Sequence, residues 1–236
     1  MPVVDLSILV PGHGSKRAGG NQQGSLFTLD DVDAAISRGL GFQVTVGAFS
    51  TGIVGGGAGT ILDLDQPELA IGIPSGVAIR PVYFNVQVQV GLIAADNDEN
   101  EILIAVDRLG VWSGDGTSTA ETATGLRSDM GGGSRCRVGS AFTADMTTTP
   151  TGAAAADPVL DMELARFVQT VDILLASTPV DSHLKVTSLL YEPKHPPIIV
   201  GPATLLVYYG GTVATLGGFI QGHWVEALAS EYINLT

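Results

Sequence analysis

Two glycine-rich segments hold residue types that hydrolases and nucleotide-binding proteins use. Residues 11–15 place a histidine and a serine between glycines, but a serine nucleophile is normally exposed by a Gly-x-Ser-x-Gly turn, which the chain lacks. Residues 55–60 could form a phosphate-binding loop, yet the Lys-Ser or Lys-Thr that follows such loops is missing. The first segment therefore predicts a polar arm or turn, and the second a flexible connection.

The acidic segment 96–101 matches the first half of a calcium-binding loop. Oxygen ligands occur at alternate positions, and Asp107 occupies the twelfth position of a loop that begins at Asp96. The sixth position, which requires glycine, is Glu101, and the twelfth carries Asp instead of Glu. We expect an acidic hairpin loop here, with calcium binding as the alternative.

The other metal-ligating and nucleophilic residues are scattered. His13, His183, His195 and His223 lack the i, i+4 spacing of a helical zinc pair, and Cys136 is the only cysteine. Cys136 is interpreted as a buried thiol, with an intersubunit bridge as the alternative. No pair of carboxylates stands out as an acid and a base. The sequence predicts a protein that is not an enzyme, with no catalytic, cofactor-binding or metal-binding residues and no small-molecule substrate.

The charge of the chain argues against direct contact with nucleic acid. Lys and Arg number 11 against 24 Asp and Glu, and the net charge is −13, whereas nucleic-acid binding needs clustered cations. The apolar stretch 197–209 is broken by Gly201 and Pro202 and falls short of the roughly 18 residues of a membrane span. The first residues resemble no secretory signal, so we expect synthesis in the cytoplasm and no membrane partner.

The composition favours assembly. Hydrophobic residues make up 45% of the chain and charged residues 15%, against about 25% charged in an average soluble domain. Much of the surface must then consist of small and apolar side chains, which are more easily buried against a partner than kept in contact with water. We therefore expect the chain to associate with copies of itself.

Alternating patterns predict an antiparallel β-sandwich in one domain, with an N-terminal arm at about residues 1–25 and long Gly/Thr/Ala-rich loops. Residues 82–90 place every second side chain, from Val82 to Val90, on an apolar face, and the intervening ones on a polar face. Turn-forming clusters separate the runs, as in sandwiches and barrels. The predicted strands are 40–46, 82–90, 101–106, 136–142, 184–191, 204–209 and 219–227.

One short helix is predicted near residues 29–39, where Leu29, Val32 and Ile36 share a face and Gly39 ends the pattern. Residues 158–176 fit either a helical stripe or a strand. The β-branched run 167–173 and the surrounding β-structure favour the strand.

The C-terminal region contains an apolar strand at 198–209, a Gly/Thr turn, and a last strand that carries Phe219 and Trp224. Over residues 184–228 this pattern resembles the closing hairpin of jelly-roll, capsid-type structural proteins of viruses, especially bacteriophages. The resemblance implies a sandwich of jelly-roll type and a structural virion protein that self-assembles into or onto a capsid with other virion proteins. The chain departs from many such coat proteins in having no basic N-terminal arm, so a coat role and an accessory role both stay open.

The alternative function is a glycan-binding or adhesive β-sandwich. Such a protein needs exposed aromatic side chains beside polar groups. The candidates are Trp112, Trp224, Tyr208 and Tyr209, which could instead belong to the core.

Overall fold

The computed structural model describes residues 6–10, 13–20, 26–29, 31–48, 52–55, 62–90, 98–129, 132–171, 185–211 and 217–230. This part of the chain is mostly β-structure with one short helix, α1 (Asp31–Ser37). The strands are β1 (Leu6–Val10), β2 (His13–Gly20), β3 (Leu26–Leu29), β4 (Gly41–Val46), β5 (Ile53–Val54), β6 (Leu69–Ile73), β7 (Val77–Val90), β8 (Asp98–Asp107), β9 (Gly110–Val111), β10 (Thr119–Glu121), β11 (Thr124–Gly125), β12 (Arg137–Ser140), β13 (Thr149–Pro150), β14 (Met162–Val171), β15 (Lys185–Tyr191), β16 (Ile199–Val200), β17 (Ala203–Gly211) and β18 (Gly217–Leu228).

Eight of these strands form two antiparallel sheets with jelly-roll connectivity. The first sheet contains the order β6-β17-β8-β14, and the second the order β4-β18-β7-β15. In chain order the eight strands pair from the outside inwards: β4 with β18, β6 with β17, β7 with β15, and β8 with β14. This nested pairing defines the jelly roll. The predicted all-β, antiparallel sandwich with one short helix near residues 29–39 is therefore confirmed.

The main hydrophobic core lies between the two sheets. Ile71 of the first sheet and Phe84 and Trp224 of the second are among its fully buried side chains. Alternate residues of each strand point into this space, because successive side chains of a strand face opposite sides. Burial of this apolar surface is the main favourable contribution to folding.

The first sheet is also buried on its outer face. Trp112, Phe142 and Met146 come from the long connection 108–161 between β8 and β14, and they cover Leu206 and Tyr208 of β17. The rings of Trp112 and Phe142 meet edge to face, with centroids 5.2 Å apart. Because both faces are covered, all nine residues of β17 and all five of β6 are buried. A strand buried on both faces reads as a continuous apolar run, and for this reason the alternation pattern did not predict β6.

β7 changes its inward-facing phase at a β-bulge. Before the bulge the buried inward residues are odd-numbered, such as Ile79, and after it they are even-numbered, such as Phe84. Val82 has no partner on β18, since the pairing jumps over it between His223 and Trp224. An extra residue of this kind bends the strand and shifts its side-chain alternation.

The predicted apolar face of residues 82–90 is confirmed after the bulge and wrong at Val82. Val82 is half-buried, and the side chain of Val90 lies outside the described residues. Asn85 and Gln87 are half-buried on the opposite face, as expected. The confirmed core positions are Phe84, Val86 and Val88.

The segment 158–176, for which helix and strand were both open, forms β14 where it is described, so the preferred strand is confirmed. Residues 172–176 lie outside the described part. The N-terminal arm predicted at about 1–25 contains β1 and β2, which form a three-stranded antiparallel sheet with β3. Gly39 follows α1 with a φ of 76° and its N–H bonds the carbonyl of Ile36, as expected for a helix-ending glycine. Among the described residues, no helix is long and apolar enough to span a membrane.

Candidate functional site

One side of the sandwich is covered by the chain itself. The connection 108–161 contributes β12, which pairs with β6, and β10, which pairs with β12, so the first sheet is extended beyond its edge. The same connection contributes β11, which pairs with β4 at the edge of the second sheet. Backbone groups at both of these edges therefore find partners within the subunit.

A buried carboxylate fastens this connection to the sandwich. Glu226 of β18 accepts hydrogen bonds from Nε1 of Trp224 (2.9 Å), from the backbone N–H of Arg135 (3.0 Å) and from the hydroxyl of Ser134. Cys136 lies next to this cluster, and burial, followed by the charge of Glu226, raises the pKa of its thiol. Cys136 is buried, as the sequence predicted, and a thiol with a raised pKa is a poor nucleophile.

The opposite side of the sandwich is formed by β14 and β15, the last strands of the two sheets. Within the described chain, neither strand has a partner on its outer side. Large apolar side chains are exposed along both: Val168 at 54% and Phe167 at 36% on β14, and Leu190 at 59% on β15. We call β14 and β15 together the open edge.

The described charged side chain of Arg166 at the open edge is paired with two carboxylates. Arg166 of β14 forms ion pairs with Glu163 on the same strand and with Glu101 on β8. The hydroxyl of Thr187 on β15 donates a hydrogen bond of 3.1 Å to the side-chain carbonyl of Gln169 on β14, which links the two sheets. The open edge therefore presents apolar groups and a paired charge cluster, without an isolated described charge on β14.

A groove of about 460 Å³ lies at one end of the sandwich, lined by Leu109, Pro150, Val159 and Val200 among others. Asp107 also lines it, but its carboxylate already accepts hydrogen bonds from the backbone of the 109–110 turn, from Val159 N–H and from the hydroxyl of Thr148. Asp107 therefore holds the connection in place, and each of its two carboxylate oxygens already accepts two hydrogen bonds.

Residues 98–101 of the acidic segment lie in a strand and not in the hairpin loop that the sequence predicted. Residues 96–97 lie outside the described chain, whereas Asp98, Asn100 and Glu101 belong to β8. Asn100 is 1% exposed, and Glu101 pairs with Arg166. Strand pairing with β14 and β17 fixes these residues in an extended conformation, which a calcium loop cannot adopt.

The other candidates are not brought together where they are described. Within the described residues, no group of three or more His, Cys, Asp or Glu side chains could hold a metal ion. His223 is on β18 and His195 follows β15, while His183 and residues 56–60 lie outside the described chain. His13 and Ser15 are in β2, not in a turn, and their side chains are not described.

The four aromatic candidates for a glycan site are core residues. Trp112, Trp224, Tyr208 and Tyr209 are at most 3% exposed. Burial raises the pKa of both tyrosines, and their hydroxyls donate hydrogen bonds to backbone carbonyls inside the subunit. They cannot stack on a sugar in the folded protein.

The fold of this chain is assigned from the pairing of its strands and not from its similarity to known proteins. No family model and no curated protein matches the chain. Among solved structures, a chain of the "Structure of infectious bursal disease virus Gx strain" aligns at 12% identity with a TM-score of 0.17 over 99% of this chain and 53% of that one. The chain thus spans about half the length of that viral protein, and a likeness of this size supports no conclusion. The chain is a jelly-roll sandwich because eight strands of its two main sheets pair in the nested order that defines this fold.

Proposed function

We propose that this protein is a non-catalytic structural virion protein that self-assembles into or onto a viral capsid. It is made in the host cytoplasm and acts in the virion, with copies of itself and other virion proteins as partners. The observation that carries the proposal is the open edge, where the described part of the chain leaves two neighbouring strands and three large apolar side chains uncovered on one side of the sandwich.

An uncovered edge strand is a template for another chain, because its outward N–H and C=O groups have no partner in the subunit. Soluble monomers protect such edges with proline, with short strands or with a covering segment. This subunit protects its opposite edges with β10, β11 and β12. β14, in contrast, is ten residues long and contains no proline, and only a bulge at Leu164 interrupts its pairing.

The topology and the composition support the same function. Jelly rolls occur in viral capsid proteins and also in lectin domains and cupins, so the fold admits this role without proving it. The charged fraction of 15% leaves a surface that loses little hydration when it is buried between subunits.

The first test is the mass of the native protein by light scattering at micromolar concentration. We expect trimers, pentamers or larger shells. A persistent monomer that joins no particle would refute self-assembly.

The second test places a charge on the open edge. Val168→Lys should leave folding almost unchanged, within about 0.5 kcal/mol, because this side chain is more than half exposed. It should weaken assembly at least about tenfold, since a lysine on an edge strand opposes pairing with another chain. The control is Val54→Lys on β5, because this valine is also exposed, at 61%. β5 pairs with β18 and not with a strand of the open edge. If Val168→Lys assembles like the wild type, the contact lies elsewhere on the subunit.

A further inference from the structure

The outer face of the second sheet carries a grid of uncharged side chains. Strand register places these side chains in three rows across the sheet. Each alternates along its strand with an inward residue such as Phe84 or Val86, so it points away from the core. The rows are Thr124, Gln43, His223 and Tyr83, then Thr45, Gln221, Asn85 and Leu190, then Phe219, Gln87 and Ser188. We call these residues the outer amide face.

None of the eleven residues in these three rows is charged, although the whole chain has 35 charged side chains, 24 acidic and 11 basic. Along the strands, the charged residues at its margin include Arg80 on β7 and Glu192 just after β15. From strand spacing and rise, the three rows span roughly 19 Å across five strands and roughly 13 Å along them. The area of the three rows is larger than the area that one or two side chains cover.

The amides of the face keep their hydrogen-bonding capacity. Among the described residues, the side chains of Gln43, Asn85 and Gln87 make no hydrogen bond within the subunit, and Gln221 contacts only His223, at 3.3 Å. Each amide can both donate and accept. All four are at least partly exposed.

An aromatic pair lies in the first row. The rings of Tyr83 and His223 pack with centroids 4.9 Å apart and planes tilted by 31°. Partial burial lowers the pKa of His223, so its imidazole loses its proton at a lower pH than an ordinary histidine does. The side chain therefore adds no charge to the face at neutral pH.

We propose that the outer amide face binds an uncharged oligosaccharide. This function goes beyond assembly, since most of the face lies on β4, β18 and β7, and it shares only Leu190 and Ser188 of β15 with the open edge. Hydroxyl groups of sugars both donate and accept hydrogen bonds, as the amides do, and an aromatic ring offers an apolar surface to the C–H side of a pyranose. A nucleic acid or a phosphorylated ligand would need cations, which these rows do not contain. An apolar protein surface would bury the amides without partners, which is costly.

The test uses the full chain and a panel of neutral gluco-, manno- and galacto-oligosaccharides, with binding measured by calorimetry up to millimolar concentration. We expect one class to bind. Asn85→Ala and Gln221→Ala should each weaken that affinity about tenfold, because each removes hydrogen bonds to the ligand. Tyr83→Phe should bind the sugar almost as tightly as the wild type does, whereas Tyr83→Ala should not. The two variants together distinguish stacking of the aromatic ring on the sugar from hydrogen bonding by the tyrosine hydroxyl.

The matched control is Gln66→Ala, an amide in the segment before β6 that bonds Asp145 and lies off this face. It should leave sugar binding unchanged, and thermal unfolding should confirm that every variant is folded. The proposal is overturned if no neutral oligosaccharide binds the wild type, or if the face variants bind like it. It is also overturned if the same variants change the oligomer mass instead of sugar binding, because the face would then be a contact between copies. Failure of the sugar test leaves the light-scattering test of assembly unaffected.

Discussion

At the scale of single residues, the two faces of β7 have different tasks. Phe84 is fully buried between the sheets, where its ring lies near Tyr191 with centroids 6.5 Å apart. Gln87 is half-buried on the outer amide face, between Phe219 and Ser188 on the neighbouring strands. The same strand therefore stabilises the fold with one face and offers a surface with the other.

We predict that Phe84→Ala lowers the free energy of unfolding by about 3 to 5 kcal/mol, because it removes apolar contact and leaves a cavity. Gln87→Thr should change it by no more than about 0.5 kcal/mol, since it keeps β-propensity and alters only the outer face. Denaturant unfolding of both variants measures the difference. A larger loss for Gln87→Thr would mean that the faces are reversed, and an effect on the oligomer alone would mean that the outer face is an assembly surface.

At the scale of elements, β6 shows how close packing constrains a strand that is covered on both faces. Gly72 lies under the connection 108–161, and a Cβ built at this position would be 2.4 Å from the backbone carbonyl of Trp112. A backbone atom cannot move aside as the end of a flexible side chain can. Gly72 is therefore required by packing and not by its backbone conformation.

Gly72→Ala should accordingly destabilise the protein by about 1 to 3 kcal/mol, as overpacked sites do. Gly132→Ala is the matched control, because a Cβ there meets nothing within 4 Å and the glycine has no positive φ. Urea unfolding compares the two. Equal stability of both variants would contradict the packing of 108–161 on the first sheet.

The first residues of β8 give an element-scale prediction about metals. Asp98 and Asn100 are held by strand pairing with β14, so removal of divalent cations should not loosen them. Thermal unfolding with and without a chelator should give the same midpoint. A fall of several degrees would show that the acidic segment binds a cation after all.

At the scale of the whole molecule, a net charge of −13 opposes the association of identical copies, while the apolar open edge favours it. Salt screens the repulsion between acidic subunits over distances beyond about 10 Å at 0.1 M. It has much less effect on apolar contact. Charge and hydrophobic contact therefore respond differently to ionic strength.

Raising the salt concentration from about 0.05 M to 0.5 M should shift the protein towards larger assemblies. Sedimentation velocity at several ionic strengths measures the distribution. Dissociation at high salt would instead indicate that ion pairs between subunits hold them together.

The sequence alone determined the class of the fold and seven of the eight jelly-roll strands, all except β6. The alternation in 82–90 and 219–227 and the punctuation by glycine place these strands within a few residues of β7 and β18, because a half-buried strand has a period of two. The short helix and its end at Gly39 were also predictable, since periodicity and a helix-ending glycine are local properties. The jelly-roll type came from resemblance at 184–228, not from periodicity.

The tertiary structure decided what local patterns do not contain. β6 is hidden in a continuous apolar run, and Val82 is displaced by a bulge that only the pairing with β18 reveals. Residues 98–101 of the acidic segment form a strand because β14 and β17 flank them. Which edges are covered depends on where residues 108–161 return along the two sheets, a contact between residues far apart in sequence. Local propensity cannot specify such pairings, because their free energy arises only when distant strands meet and exclude water together.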